Sequence, residues 1–239
     1  MIALILNSGL GQRMGVHTSH HPKCMTDLIN NETILSRQLC SLEQAGIKEV
    51  IITTGYYHDV LQEYCESLPI NINLKFVYNP LYAQTNYIYS INCARDYLYN
   101  KDFLMLHGDL VFEDSVLNDI IGYPDSCMKV SSTLPLPEKD FKAIVKDKKI
   151  MSVGVEFFND AMEAQAMYKL LKKDGNMWLD RIYSYCSNNK VNCYAEVALN
   201  EITDDCHIFA CDVKDRLCTE IDTPEDLEKV LAILNNNTV

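Results

Sequence analysis

The stretch Ile2-Ala3-Leu4-Ile5-Leu6-Asn7-Ser8-Gly9-Leu10-Gly11-Gln12-Arg13-Met14-Gly15 decides the fold. Five apolar residues in a row run straight into a polar loop with glycines. A strand buried on both faces of a parallel sheet reads this way, whereas a half-exposed strand alternates. The pattern returns at residues 49–55 (EVIITTG) and 102–109 (DFLMLHGD), again with glycine or charge only at the two ends of each run.

The segments between these runs have helical spacing. A helix is predicted over 33–45, with Gly46 as its stop, and another near 58–66. A strand at 73–77 and a helix opening at Asn86 follow. Strands alternating with helices through short links imply right-handed crossovers and a mainly parallel sheet covered on both faces by helices. The expected class is therefore a three-layer, Rossmann-like α/β fold. Ligands of such sheets lie beyond the carboxyl ends of the strands. Candidate site residues are thus those after each strand: Asn7 to Lys23, Thr54 to Tyr56, and His107 to Asp109.

The pattern changes after about residue 126. KVSSTL and FKAIV alternate, and KDKKI reads as a turn between strands at 144–145 and 150–153. Helices are expected near 160–172 and 176–187, and short strands near 192–197 and 206–211. A last helix has Thr223 as N-cap, Pro224 in first position and Asp226 in third, with a frayed tail from residue 235. With no repeat, linker or composition break, residues 1–239 read as one domain.

Composition narrows the function. A net charge of -12 argues against general nucleic-acid binding, which needs a basic footprint. No segment approaches the apolar length of a membrane span, and MIALIL is too short for a signal sequence, so cytoplasm is the expected location. The ten cysteines contain no CxxC pair, and several sit in apolar patterns as small hydrophobes. Oligomeric state is not legible, although a homodimer is compatible with an α/β surface.

The glycine loop suits phosphate, because glycines let backbone N–H groups approach closely and Arg13 adds a charged fork. It is not a Walker A loop, since Gly-Lys-Ser/Thr is missing, and Met14 stands where a dinucleotide fingerprint needs its third glycine. Further on, Pro22 precedes Lys23, which can return to the same phosphates or simply be solvated. His17, His20 and His21 offer metal-ligand chemistry but also suit an exposed loop. Asp109 ends a buried strand and Asp222 precedes the last helix. Two such carboxylates suit Mg²⁺, whose remaining ligands would be phosphate oxygens and water, yet each also suits a turn or cap.

Taken in order, G-L-G-x-R-M at 9–14, H-P-K at 21–23, G-Y at 55–56, N-x-x-x-S at 86–90, G-D at 108–109 and E-I-D-T-P-E-D-L at 220–227 span nearly the whole chain. This series resembles the nucleotidyltransferase superfamily of sugar-nucleotide and phosphocholine-type cytidylyltransferases. It is most similar to small bacterial CTP-dependent enzymes acting on phosphocholine, 2-aminoethylphosphonate or glutamine phosphate. The N-S-G-L-G-x-R-M-G and H-P-K-C-M segments look most like the glutamine-phosphate cytidylyltransferases of capsule phosphoramidate synthesis.

The resemblance implies a nucleotide-binding half over 1–125 and an acceptor-binding half over 126–239. Leu6, Asn7, Ser8, Gly9, Leu10 and Gly11 would wrap the nucleotide, with Gly55, Tyr56, Asn86 and Ser90 near nucleotide or acceptor. Arg13 and Lys23 would neutralise the triphosphate, and Asp109 and Asp222 would hold Mg²⁺. One departure is Asn7-Ser8 where many members carry Ala-Ala, which leaves the choice of nucleotide open. For the acceptor, Lys129, Lys142, Glu156, Asp160 and the pair Phe157-Phe158 are available, though any of them could be a surface residue. A choline pocket is less expected, because the sole tryptophan, Trp178, reads as packing. Rival readings are a sugar-1-phosphate nucleotidyltransferase, a dinucleotide-dependent oxidoreductase and a non-catalytic nucleotide-binding module.

Overall fold

The structure, a computed structural model, describes residues 1–236, so the end of the expected frayed tail lies outside the described residues. Strand β1 (Ile2–Asn7) is buried along its whole length and lies between β2 (Glu49–Thr54) and β4 (Phe103–His107), parallel to both. Strand β3 (Asn73–Tyr78) adds to the outer edge of β2, also in parallel. The helices between them are α1 (Ile34–Gln44), α2 (His58–Ser67) and α3 (Tyr87–Leu98). Thr33 caps α1 through a reciprocal pair of hydrogen bonds with Ser36, and Gly46 ends it at φ 83°.

The alternation of β1 divides the core. Ile2, Leu4 and Leu6 pack on one face with Ile88, Ile91 and Leu98 of α3, while Ala3 and Ile5 face Leu35, Leu39 and Leu42 of α1. Each face removes its apolar side chains from water, which is the main favourable term in the fold.

Beyond β4 the sheet becomes mixed. After β5 (Leu110–Phe112) and α4 (Asp114–Gly122) come β6 (Cys127–Ser131), β7 (Lys142–Lys146), β8 (Lys149–Gly154) and β9 (Ala161–Leu170). Helices α5 (Lys172–Ser187) and α6 (Ala195–Asn200) precede β10 (Phe209–Asp212), β11 (Cys218–Glu220) and α7 (Pro224–Asn236). The nine-stranded order is β3-β2-β1-β4-β9-β6-β10-β8-β7, with β9 antiparallel to both β4 and β6. The parallel reading therefore describes the first half, and the second half mixes both directions.

Two sequence expectations are corrected. The segment read as a helix near 160–172 is the central strand β9, buried from Glu163 to Leu170. Its Ala, Met, Glu and Gln are good helix formers, but a gap between two strands overrides that preference. The segment read as a strand near 192–197 instead leads into α6, which buries Ala195, Ala198 and Leu199 on one side. That spacing of three and four is helical.

Candidate active site

Register places the carboxyl ends of the first strands side by side. Asn7 pairs with Thr54 and Leu6 with His107, while Gly108 N–H donates to the Leu6 carbonyl at 3.1 Å. A cavity of about 860 Å³ opens over these ends. Space there is tight: a Cβ on Gly55 would lie 2.3 Å from the Ser8 carbonyl oxygen, and one on Gly108 would meet the Asn7 side chain at 1.7 Å. At Gly55 the obstacle is backbone and only glycine fits, whereas at Gly108 the Asn7 side chain would have to move.

The loop after β1 continues as a short 3-10 segment from Gln12 to Thr18 that is entered through Gly11 at φ 63°. Tyr57 Oη donates to the carbonyls of Thr18 and Ser19, tying this loop to the start of α2. Pro22 is extended and delivers Lys23 into a second 3-10 turn. Across the cavity, β11 pairs antiparallel with β5, setting Glu220 opposite Leu110. The Ile221 N–H donates to the Asp109 carbonyl at 3.0 Å, so Asp109 and Asp222 meet from distant parts of the chain.

Lys23 joins them. Its Nζ donates to Asp222 Oδ1 at 2.6 Å and contacts Asp109 Oδ2. Arg13 approaches Asp222 as a fork, with both terminal nitrogens 2.9 Å from its carboxylate oxygens. Burial disfavours charge on Lys23, but the carboxylates of Asp109 and Asp222 outweigh it and hold its pKa above the usual lysine value. Burial likewise opposes ionisation of Asp109, yet Lys23 and His107 hold its pKa below the ordinary range.

More acid surrounds this centre than the sequence reading named. Asp140, Glu220 and Asp222 bring ligand atoms within 4.8 Å of one another, and so do His107, Asp109 and Glu220. Asp109 Oδ1 is buried with no hydrogen-bond partner. An orphaned carboxylate oxygen beside other carboxylates, with Lys23 as their counter-charge, fits the donor set of a hard divalent cation such as Mg²⁺. No such cluster among the described residues includes His17, His20 or His21. All ten cysteines are free and stand outside both groups.

At the second end of the cavity, His107 Nδ1 lies 2.8 Å from Glu220 Oε1. Burial opposes its protonation, but the Glu220 hydrogen bond and charge, with Asp109 and Glu196, push its pKa up to about 9. Burial and the Asp109 charge raise the pKa of Glu220 as well. The His107 ring stands edge-on to Tyr87 at 4.7 Å, and Phe141 stands edge-on to Tyr194 at 5.1 Å. Behind Tyr87, the buried Glu196 accepts the hydroxyl of Tyr87 and, at 2.8 Å, that of Tyr168.

The cavity lining includes Leu6 to Gly11, Arg13, Lys23, Asn86, Ser90, Asp109 and Asp222. Gly55 and Tyr56 stand just outside it; Gly55 supports Ser8, and Tyr56 is an exposed ring 4.8 Å from Tyr57. The four acceptor candidates are not among the lining residues. Lys129 is fully buried and paired with Glu163 where the β6–β9 register shifts. Lys142 Nζ donates to the Pro137 carbonyl at 2.6 Å and covers the Phe158 ring. Glu156 and Asp160 are exposed. The other half of the cavity is instead supplied by Tyr87, His107, Lys139, Asp140, Phe141, Tyr194 and Glu220. His107 and Glu220 were legible as strand-end and motif residues; Asp140, Phe141 and Tyr194 carried no sequence signal.

A model of the MobA-like NTP transferase domain matches residues 3–124, from β1 through the end of α4. The chain is 31% identical over 134 residues to the CMP-5'-(3-aminopropyl)phosphonate synthase of Streptomyces rubellomurinus, covering 56% of this chain and 21% of that protein. It is 30% identical over 127 residues to the CTP:phosphoglutamine cytidylyltransferase of Campylobacter jejuni, covering 51% of this chain and 49% of that one. The chain therefore spans half or less of the length of these two relatives. Among solved structures, the CTP:phosphocholine cytidylyltransferase of Streptococcus pneumoniae superposes with a TM-score of 0.78 at 19% identity, over 98% of both chains. The fold is thus that of a nucleotidyltransferase, and the chain belongs to the MobA-like NTP transferase domain family.

Proposed function

We propose that this protein transfers CMP from CTP to a small phosphate or phosphonate acceptor that carries an ammonium group, releasing pyrophosphate. One observation carries the reading: Lys23 links Asp109 and Asp222 at the mouth of the glycine loop, inside the cavity over the strand ends. Cations and carboxylates suited to a divalent metal converge there on the place where a triphosphate would enter.

The chemistry follows from charge. An acceptor phosphate oxygen is already nucleophilic and needs no general base. It attacks the α-phosphorus in line, a new P–O bond forms, and the bond to the β-phosphate oxygen breaks. Lys23, Arg13 and the loop N–H groups would hold the phosphates and neutralise the leaving pyrophosphate. Mg²⁺ held by Asp109 and Asp222 would supply further charge neutralisation at the α-phosphate.

The acceptor end is aromatic and acidic. Tyr87, Phe141 and Tyr194, backed by Glu196 and flanked by Asp140 and Glu220, suit an ammonium or trimethylammonium head. Trp178 takes no part; it is buried, and its Nε1 donates to the Ala195 carbonyl at 3.0 Å. Phosphocholine and aminoalkylphosphonates therefore come before glutamine phosphate, the acceptor favoured by the sequence. Glutamine phosphate remains a second reading because Lys139 lines the same end and can receive a carboxylate. No helix among the described residues is long and apolar enough to cross a membrane, in keeping with a soluble substrate pair. Cytoplasmic location, capsule or surface-polysaccharide modification and homodimer formation extend the same reading. The test is a pyrophosphate-release assay with four NTPs against phosphocholine, 2-aminoethylphosphonate, glutamine phosphate and a sugar 1-phosphate. Release only with CTP and an ammonium-bearing acceptor supports it, and turnover with the sugar phosphate alone overturns it.

A further inference from the structure

His107 stands at the junction of the two halves of the cavity. On one side, two residues along the chain, is Asp109, paired with Lys23. On the other are the rings of Tyr87 at 4.7 Å and Phe141 at 6.4 Å. An acceptor with its phosphoryl group toward the Lys23 cluster and its ammonium toward the rings must pass over this imidazole. Among the described lining residues it is the only histidine.

Its two nitrogens differ. Nδ1 is fixed by Glu220 Oε1 at 2.8 Å, which orients the ring. Nε2 is buried and has no hydrogen-bond partner. Burying a polar nitrogen without a partner costs stability, and such groups in folded proteins are nearly always satisfied. An orphan on a residue that lines a substrate cavity is therefore read as a contact completed by the substrate. With Nδ1 occupied by Glu220, Nε2 is the ring nitrogen left to meet an oxygen of the substrate.

We propose that His107, oriented by Glu220, binds a non-reacting oxygen of the acceptor's phosphate or phosphonate group through Nε2, and so sets which end of the acceptor faces the α-phosphorus. The inference rests on the proposed transfer to a phosphorylated acceptor and deepens it. His107 acts as a binding residue, and Glu220 acts through it as a positioning residue.

Two amides separate this role from a structural one. His107→Asn keeps a nitrogen near the Nδ1 position, within reach of Glu220, and deletes Nε2. His107→Gln places a nitrogen near Nε2 and gives up the Nδ1 contact. With phosphocholine and 2-aminoethylphosphonate as acceptors, His107→Asn is expected to raise the acceptor KM about tenfold or more, with the CTP KM changed less than about twofold. His107→Gln should recover much of the loss. A histidine that only supports the fold gives the reverse order, with the asparagine variant nearer to wild type, and that result overturns the proposal. Nitrogen-15 NMR of the wild-type protein gives an answer that needs no variant to fold. A saturable shift of one buried imidazole Nε2 resonance on adding phosphocholine supports the contact. No such shift, with an acceptor that the enzyme turns over, overturns it while leaving the transfer reading intact. Failure of the wild-type protein to transfer CMP to any phosphate or phosphonate overturns both.

Discussion

Lys23 Nζ lies between Asp222, 2.6 Å away and 199 positions along the chain, and Asp109, with which it is in direct contact. The lysine and a divalent cation are thus offered the same carboxylates. Removing the lysine while keeping its bulk, as in Lys23→Met, leaves two carboxylates facing each other in a low-dielectric site. That variant should melt at a lower temperature than wild type without Mg²⁺, and gain more from added Mg²⁺ than wild type does. Turnover should fall on the order of 10²-fold, the scale for losing one electrostatic stabiliser. Thermal unfolding with and without Mg²⁺, beside a pyrophosphate assay, checks both parts.

Gly55 holds the glycine loop by being small. A methyl group there would sit 2.3 Å from the Ser8 carbonyl oxygen and 3.0 Å from the Tyr82 Cβ, so the loop after β1 must shift. Gly55→Ala should therefore weaken CTP binding about tenfold or more while costing roughly 1–3 kcal/mol of stability, the usual range for overpacking. Calorimetric titration with CTP and a urea melt measure the two effects.

Glu196 accepts hydroxyls from Tyr87 and Tyr168. Burial, then the Glu196 charge, pushes the Tyr87 phenol pKa up, as expected when a hydroxyl serves as a donor to a carboxylate. Glu196→Gln keeps a carbonyl acceptor but removes the charge behind the aromatic wall. Its acceptor KM should rise on the order of tenfold for an ammonium-bearing acceptor, the scale of one charged contact. The CTP KM should stay near wild type, and steady-state kinetics in both substrates decide it.

The start of α7 predicts a pH dependence. Thr223 N–H donates to Asp226 Oδ2 at 3.0 Å, its hydroxyl does so at 2.8 Å, and Asp226 N–H returns a bond to Thr223 Oγ1 at 3.3 Å. Burial raises the Asp226 pKa, but these bonds to Thr223 outweigh it and the net direction is down. A lowered folded-state pKa means that the stabilisation is complete above the unfolded value, near 4, and is lost as pH falls through the lower folded value. Asp226→Ala should cost about 1 kcal/mol at neutral pH and less at pH 3, by urea unfolding at both.

Legibility of the fold in the sequence follows physical cause. Strands β1, β2 and β4 are buried on both faces, so their apolar runs could hardly mean anything else. Helices α1 and α7 announce themselves through Thr33, Gly46 and the Thr223–Asp226 pair, because capping is local chemistry. Strand β9 was read as helical because its identity depends on β4 and β6 on either side, which no local pattern records. The site divides in the same way. Of the strand-end and glycine-loop candidates, Leu6 to Gly11, Arg13, Lys23, His107 and Asp109 line the cavity, while Gly55 and Tyr56 stand outside it. Tyr87, Asp140, Phe141, Tyr194 and Glu196 come together only when α3, α6 and the segment before β7 close over the sheet. Lys129 and Lys142 attracted attention as charges, yet each is buried and satisfied within the second half of the sheet.

The most direct test of the transfer reading follows the fate of CTP labelled at its α-phosphate, incubated with Mg²⁺ and phosphocholine or 2-aminoethylphosphonate. The account predicts that label enters a CMP–acceptor conjugate, with one pyrophosphate released per conjugate, and that Asp109→Ala abolishes both. Tight CTP binding with no conjugate and no pyrophosphate, across all acceptors of this class, would contradict it.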